Sequence, residues 1–534
     1  MIINIAIKEF LGNLHSARFV IGFLLCLVLI PLALVVGVED YKGKVITYNA
    51  EVTDAEKHLK QIKVYSQLRP QLVRSPEPLS IFSRGIIYNL GCRVKMRLDR
   101  RPFKTAGQGS VRDNQLMKSF SSLDFCTILA LVLSLLALLF TYDACSGERE
   151  QGTLKLMFSN SVSRSTVLLG KSLGVSLSLL PILVFCYLLG ILFIVITPEV
   201  SLSAGEWLRV GLLFATSLLY FGLFVLLGLF ISSRFRSSAA SIVVCLFAWV
   251  FFLFIVPNLA GYLAHSMAKV PPEQSMYTAL SELSREYWDK RNEYEKSLPE
   301  PDWNSNWNYR MSDDGHIVLL GATRDRYENV RKLQAYAIPL MLEYADKKYP
   351  IFNDYLQQMD RQRLVAERLS LVSPSQVFRL LCSSLCRTDA AAHQVFMQST
   401  HRYREQFVQY LRDKDVFSSY LYFTPVPEER FMTADEVVRY MSSGKLQTFE
   451  ELKKYVADNG GFWDPTLVKR EVPDWYPGDH HPYLDLNDLP RYQWRKTGMD
   501  LVLQSTLLDI TALLCAGVIL FFLSFVSFSR YDVR

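Results

Sequence analysis

Ser146-Gly-Glu-Arg-Glu-Gln-Gly-Thr-Leu-Lys-Leu-Met-Phe-Ser-Asn-Ser-Val-Ser-Arg-Ser-Thr-Val-Leu-Leu-Gly-Lys171 is a charged stretch set between two apolar runs, each long enough to cross a bilayer. A hydrocarbon core of about 30 Å takes roughly 20 apolar residues in helix, and every backbone N–H and C=O inside it must be satisfied within the segment. The flanking runs, Phe125–Tyr142 (bounded by Asp124 and Asp143) and Ser172–Ile196, meet that demand. So do Phe19–Val38, Val210–Ile231, Ala239–Ala264 and Ile510–Phe528. None of the six carries an interior Asp, Lys or Arg, each of which would cost about 2.5–3.5 kcal/mol at mid-membrane. With 50% hydrophobic residues, a positive mean hydropathy and 21% charged residues, the chain is part membrane and part water-exposed.

The expected order follows from these runs. Residues 1–18 form an N-terminal amphipathic helix and 19–38 the first span. A loop covers 39–124, the second span 125–142, and the charged segment 143–171. Spans three to five occupy 172–196, 210–231 and 239–264. A large domain fills 265–509, the sixth span 510–528, and a short tail 529–534. The first run, preceded by Lys8 and Arg18, is longer than a signal-peptide core and lacks a small-x-small site after Val36-Gly37-Val38, so it reads as a retained anchor.

Short connections set the orientation. Arg149, Lys155, Arg164, Lys171, Arg234, Arg236, Lys8, Arg18, Arg530 and Arg534 all fall on one side, which predicts both termini in the cytoplasm. The 39–124 loop and the 265–509 domain then lie outside it; long loops translocate largely regardless of charge.

Ile3, Ile7, Phe10, Leu11 and Leu14 make an apolar helical stripe, either in the membrane interface or against the protein itself. Lys44–Val52 alternates as a strand would, and the chain from Asp54 reads as helix. The proline-containing Arg74–Gly85 reads as extended chain. Arg93, Lys95, Arg97, Arg100, Arg101 and Lys104 form a basic cluster, better read as solvated than as lipid-bound. In the large domain, helical patterns cover Glu273–Leu298, Ala322–Lys348, Phe352–Leu369 and Asp389–Asp413, with a helix start at Ser373-Pro374. Residues 428–494 read as irregular.

Catalytic signals are weak. Leu169-Gly-Lys-Ser invites a phosphate-loop reading, but Ser165 stands where the first glycine belongs and the flanks are membrane-bound. No ATPase site of its own is expected, and there is no Gly-x-Ser-x-Gly or His-Glu-x-x-His. His480-His481 beside Asp479 lacks partner ligands, so no metal or other cofactor is expected. The nine cysteines form no disulfide framework; Cys382 and Cys386 share a helix face without a spacing that implies a bridge. Asp509, near Ser505, Thr506 and Thr511, is the candidate ionisable residue for a pathway, against simple interfacial placement. Nucleic acid is not an expected partner; membrane lipid is.

Within the opening stretch, Gly152-Thr-Leu-Lys-Leu-Met-Phe starts a short helix on which Leu154, Met157 and Phe158 share a face able to seat in a groove of a soluble partner. Glu148-Arg-Glu-Gln-Gly-Thr-Leu-Lys-Leu-Met-Phe, then Val162-Ser-Arg and Leu168-Leu-Gly-Lys, resembles the coupling segment of ABC-2 type transporter permeases. Glu9-Phe-Leu-Gly-Asn-Leu, Pro78-Leu-Ser-Ile-Phe-Ser-Arg-Gly, Ile255-Val-Pro-Asn-Leu, Leu489-Pro-Arg and Ser529-Arg-Tyr-Asp-Val-Arg are similar to the branch with a large extracytoplasmic insertion, which includes permeases of the gliding-motility and nitrous-oxide-reductase-maturation types. Asn160-Ser161 departs from the proline many members carry before Val-Ser-Arg.

The resemblance implies an α-helical polytopic membrane protein of the bacterial inner membrane, with six helices of ABC-2 exporter type and a mostly helical extracytoplasmic domain. It implies two permease copies, or one with a paralogous permease, over two copies of an ATP-binding subunit that carries ATP and Mg, with periplasmic or envelope proteins as further candidate partners. By analogy, Glu148, Arg149, Glu150, Gly152, Thr153, Leu154, Met157, Phe158 and Arg164 make the coupling contact. The alternative from another class is a membrane scaffold or receptor outside the ABC systems.

Overall fold

The structure is a computed structural model that describes residues 1–87, 91–102, 124–153, 163–300, 306–311, 317–460, 482–494, 496 and 498–529, with 306–311 and 317–322 described as backbone. It is α-helical, with six helices among the described residues long and apolar enough to cross a membrane. Helix α1 (Ile2–Leu14) turns at Ser16, whose Oγ accepts from Phe19 N, into α2 (Ala17–Lys60). There follow α3 (Phe125–Thr141), the short α4 (Ser146–Glu150), α5 (Arg164–Ile196) and α6 (Ala204–Arg234). Next, α7 (Ser238–Val250) passes through a π-turn at Phe251–Ile255 into α8 (Val256–Met267). The bundle closes with α15 (Met499–Ser529).

The π-turn is spanned by Val256 N, which donates to Phe251 O five residues back. Pro257 has no N–H, so the Phe252 carbonyl five residues back has no donor there. Ser373 Oγ, from the far side of the chain, donates to it.

Between α8 and α15 lie α9 (Glu273–Ser297), the hairpin β3–β4 (Asn306–Met311, Ile317–Ala322), α10 (Arg324–Ser370), α11 (Pro374–Leu385), α12 (Ala390–Asp413), α13 (Ala434–Met441) and α14 (Phe449–Asp458). Two cores result. One fills the bundle; the other joins α9, α10 and α12 to Ile62, Tyr65, Leu72, Val94 and Met96 from the chain after α2.

Several elements differ from the pattern reading. No strand forms at Lys44–Val52: α2 runs on to Lys60, held by Asp40–Lys44 (2.8 Å) and Glu39–Lys42 (3.7 Å) pairs and by Thr47 Oγ1 folded onto Gly43 O. A helix already propagating tolerates the β-branched Val45-Ile46-Thr47. The two patterns split near Pro350 are one helix, α10, which passes through both Pro339 and Pro350. Its buried face, from Val330 through Ile338 and Ala345 to Phe352, offsets the lost hydrogen bonds by packing. Within 428–460, read as irregular, α13 and α14 form; the former starts on a Thr433–Glu436 capping box.

The prolyl segment before α3 is short strand β1 (Gln71–Val73), paired with β2 (Arg93–Lys95), and a 3-10 turn at Pro78–Ile81. This strap drives Phe82 into the bundle against Phe125, 5.0 Å between ring centroids. Helix α11 starts at Ser373-Pro374 as expected, with Ser373 Oγ accepting from Gln376 N, but it sits among α3, α6 and α15. There Phe378 stacks on Tyr220 at 4.4 Å, and the Tyr220 hydroxyl meets Ser375 Oγ at 3.1 Å. All nine cysteines, Cys382 and Cys386 included, are free thiols. The basic cluster pairs with acids of the protein: Arg93 with Glu51 (3.0 Å), Arg97 with Asp99 (2.9 Å) and Arg101 with Asp346 (2.7 Å). Lys104, Asp479, His480 and His481 lie outside the described residues.

Candidate functional site

One end of the bundle gathers most of the residues singled out in the charged segment. Helix α1 lies against α5, seated by two glycines one helical turn apart. A Cβ on Gly170 would stand 2.7 Å from the Ile5 side chain; one on Gly174 would stand 2.6 Å from Glu9 Cβ and 2.7 Å from Ala6 O. Small residues let the two backbones approach this closely. This is what Leu169-Gly-Lys-Ser does in place of cradling a phosphate.

The lysine between those glycines is the hub. Lys171, 1% exposed, places Nζ 2.8 Å from Glu9 Oε1 of α1 and 2.9 Å from Glu148 Oε1 of α4, with Lys8 Nζ a further 3.5 Å from the same Glu148 oxygen. Two carboxylates and one buried ammonium stabilise one another, and removing a single partner would strand the rest; for buried pairs that costs about 3–5 kcal/mol.

Neighbouring contacts extend the ring. Arg18 donates to Asp143 (2.7 Å), to the Tyr142 hydroxyl (2.8 Å) and to Leu139 O (3.1 Å), fastening the foot of α2 to the end of α3. Ser232 Oγ accepts from Cys145 N and Ser146 N, so the end of α6 caps the start of α4. Glu150 accepts from Ser238 N (3.0 Å) and Ser238 Oγ (2.8 Å) at the N-terminus of α7, where a carboxylate suits both the free N–H groups and the helix dipole. Arg164 donates to the carbonyls of Phe528 and Ser529, closing the C-terminus of α15.

The roles of the singled-out residues therefore divide. Glu148, Glu150 and Arg164 face inward or bridge helices, and Arg149 is half-buried. Gln151, Gly152 and Thr153 are exposed, with Gly152 at φ +72°, a left-handed turn after α4. Leu154, Met157 and Phe158, like Lys155, Asn160 and Ser161, lie outside the described residues. Asp509 is half-buried on α15, about 30 Å up the helix from Ser529, and belongs to no part of this ring. Sequence reasoning missed Glu9 and Lys171 as partners across the bundle, and Ser232 and Ser238 as caps. The spacing of Gly170-Lys171-x-x-Gly174 marks a helix seat but not which helix fills it. On α1 the buried face is Ala6, with Ile5 and Glu9 half-buried, while Ile3, Ile7 and Leu11 stay exposed. The helix thus packs on the protein and also presents an apolar stripe outward.

Six bilayer-length helices clasped at one end by an ion-paired ring define a multi-pass α-helical membrane protein. Over residues 3–533 the sequence matches the profile of the ABC-2 family transporter protein, and the chain belongs to that family. It is also similar to the probable ABC transporter permease protein NosY of Pseudomonas aeruginosa, 31% identical over 160 residues, which cover 29% of this chain. The match spans about half, 55%, of that relative's length. The family sets aside a scaffold outside the ABC systems.

Proposed function

We propose that this permease couples ATP hydrolysis by two copies of a separate nucleotide-binding subunit to export or to mechanical work on the envelope. In this reading the ion-paired ring lies on the cytoplasmic side of a bacterial inner membrane, with both termini. The domain built on α9, α10 and α12 to α14 lies outside, with α11 returning into the bundle, and a second permease completes the assembly. The observation that carries it is the Lys171 triad: it fuses α4 to α1 and α5, so a push on the exposed Gln151-Gly152-Thr153 turn is passed to spanning helices without slack. Glu148 and Glu150 act as struts between helices, and the partner contact falls to Gly152, Thr153 and the Leu154, Met157 and Phe158 stretch that follows.

The test is co-purification with the ATPase subunit and ATP turnover of the complex. Thr153→Asp with Leu154→Asp should leave the thermal unfolding of the isolated permease unchanged while association and turnover fall at least tenfold. Unchanged association and turnover would sink the proposal.

A further inference from the structure

At the opposite end of the bundle, where α2 leaves its apolar run, a cavity of about 70 Å³ lies between α2, the Arg74–Ile87 strap, Gly91, Cys92 and Thr388. One water needs about 10–15 Å³ on such a measure, so the space holds several waters or one tetrahedral oxyanion. Its walls carry three cations, Lys44, Arg74 and Arg84, and one carboxylate, Glu77, with Ser80 and Thr388 between them; Lys44 also pairs with Asp40 at 2.8 Å. Glu77 lies within 4.0 Å of Arg74, Arg387 and Lys496, and its Oε1 is buried without a hydrogen-bond partner.

Arg74 is the telling residue. Its side chain is 2% exposed; Nη2 donates to Arg387 O at 3.1 Å and the guanidinium lies 5.3 Å from the Trp494 ring centroid. Nη1 is buried with no hydrogen-bond partner. A buried charged donor left unmet is costly and rare. Burial also holds this guanidinium below its ordinary pKa, a penalty Glu77 only partly offsets. Lys44 stands six residues past Val38, the end of the apolar run, which is about 9 Å along the helix and hence at headgroup depth.

We propose that this cavity is a binding site for a phosphate-class oxyanion, with Arg74 Nη1, Lys44 and Arg84 as its cationic cradle and Ser80 as a neutral donor; the Thr388 hydroxyl already donates to Ser383 O. A guanidinium fork and an ammionium-bearing stem are the side chains best suited to such a group. The ligand's source is either a phospholipid headgroup or a free anion. The inference does not depend on the coupling role: it concerns the other end of the molecule and needs no ATPase.

The full-length chain, purified in detergent, would be titrated with inorganic phosphate while its thermal unfolding is followed. In parallel it would be placed in nanodiscs of phosphatidylglycerol or phosphatidylcholine, and retained lipid counted by native mass spectrometry. Stabilisation by phosphate identifies a free anion; preferential retention of phosphatidylglycerol identifies a headgroup. In either case Arg74→Gln and Lys44→Gln should each weaken binding about tenfold or more. Lys44, on the flank of α2 and a fifth exposed, keeps the test valid if Arg74→Gln fails to fold. The proposal is overturned if neither probe binds the wild-type chain, or if Lys44→Gln binds as the wild type does.

Discussion

The Lys171 ammonium of α5 stands 2.9 Å from the Glu148 carboxylate of α4, and the same nitrogen reaches Glu9 of α1 at 2.8 Å. Because it is almost fully enclosed, it neutralises two carboxylates that water reaches poorly. Lys171→Met should therefore destabilise the protein by about 3–5 kcal/mol, and Glu148→Gln by less, since a neutral amide still accepts from Lys171. Thermal or denaturant unfolding of the purified chain measures both. Equal, negligible losses would show that the triad contributes no stability.

Arg18 and Asp143 form the contrasting pair. At 2.7 Å the geometry is as close, yet the two side chains are 36% and 31% exposed. Solvent screening limits such a pair to about 1 kcal/mol or less, so Arg18→Gln should shift unfolding far less than Lys171→Met. A larger effect from Arg18→Gln would reverse the ranking by burial.

Gly174 tests the seat of α1. An added methyl there meets Glu9 Cβ and the Ala6 carbonyl, the latter backbone that cannot turn aside. Gly174→Leu should lift α1 from α5, and a cysteine introduced at Ala6, buried in the wild type, should then react with maleimide at least tenfold faster. Peptide mass spectrometry separates that label from the native thiols.

The large domain should respond to acid. Burial lowers His393 to about 4, with Arg74 adding to the shift; burial likewise lowers His401 to about 4, with Arg101 and Arg404 adding. Unfolding frees both to titrate near 6.5, so between pH 6.5 and 4 the unfolded chain binds more protons than the folded one. Stability from this pair is complete above pH 6.5 and declines as pH falls toward 4. The slope of unfolding free energy against pH, corrected for carboxylates by comparison with His393→Gln and His401→Gln, should drop by about one proton per substitution. An unchanged slope would show that these imidazoles are solvated.

Much of the membrane half was readable because spanning helices obey one stringent rule, the internal satisfaction of the backbone, and apolar length reveals it. The charged segment was readable as a local motif. Its partners were not, since nothing in Gly170-Lys171 tells which helix will lie across it, and Glu9 is 162 positions away. Continuous α10 escaped the pattern reading because Pro350 is a local stop signal that tertiary burial overrides. The helix through Lys44–Val52 escaped it because β-branched residues report a preference, while α2 was already propagating when it reached them.

Helix α2 links the two ends of the molecule in one piece, from Arg18 in the ion-paired ring to Lys60 beside the domain core, about 66 Å of rod. Pro31 is its natural bending point. A lever of that length magnifies: a tilt of about 5° at its foot would swing its tip through about 6 Å, from the same rise per residue. Displacements too small to resolve at the ring would thus be readable at Lys60, which makes the tip of α2 the place to attach a distance probe.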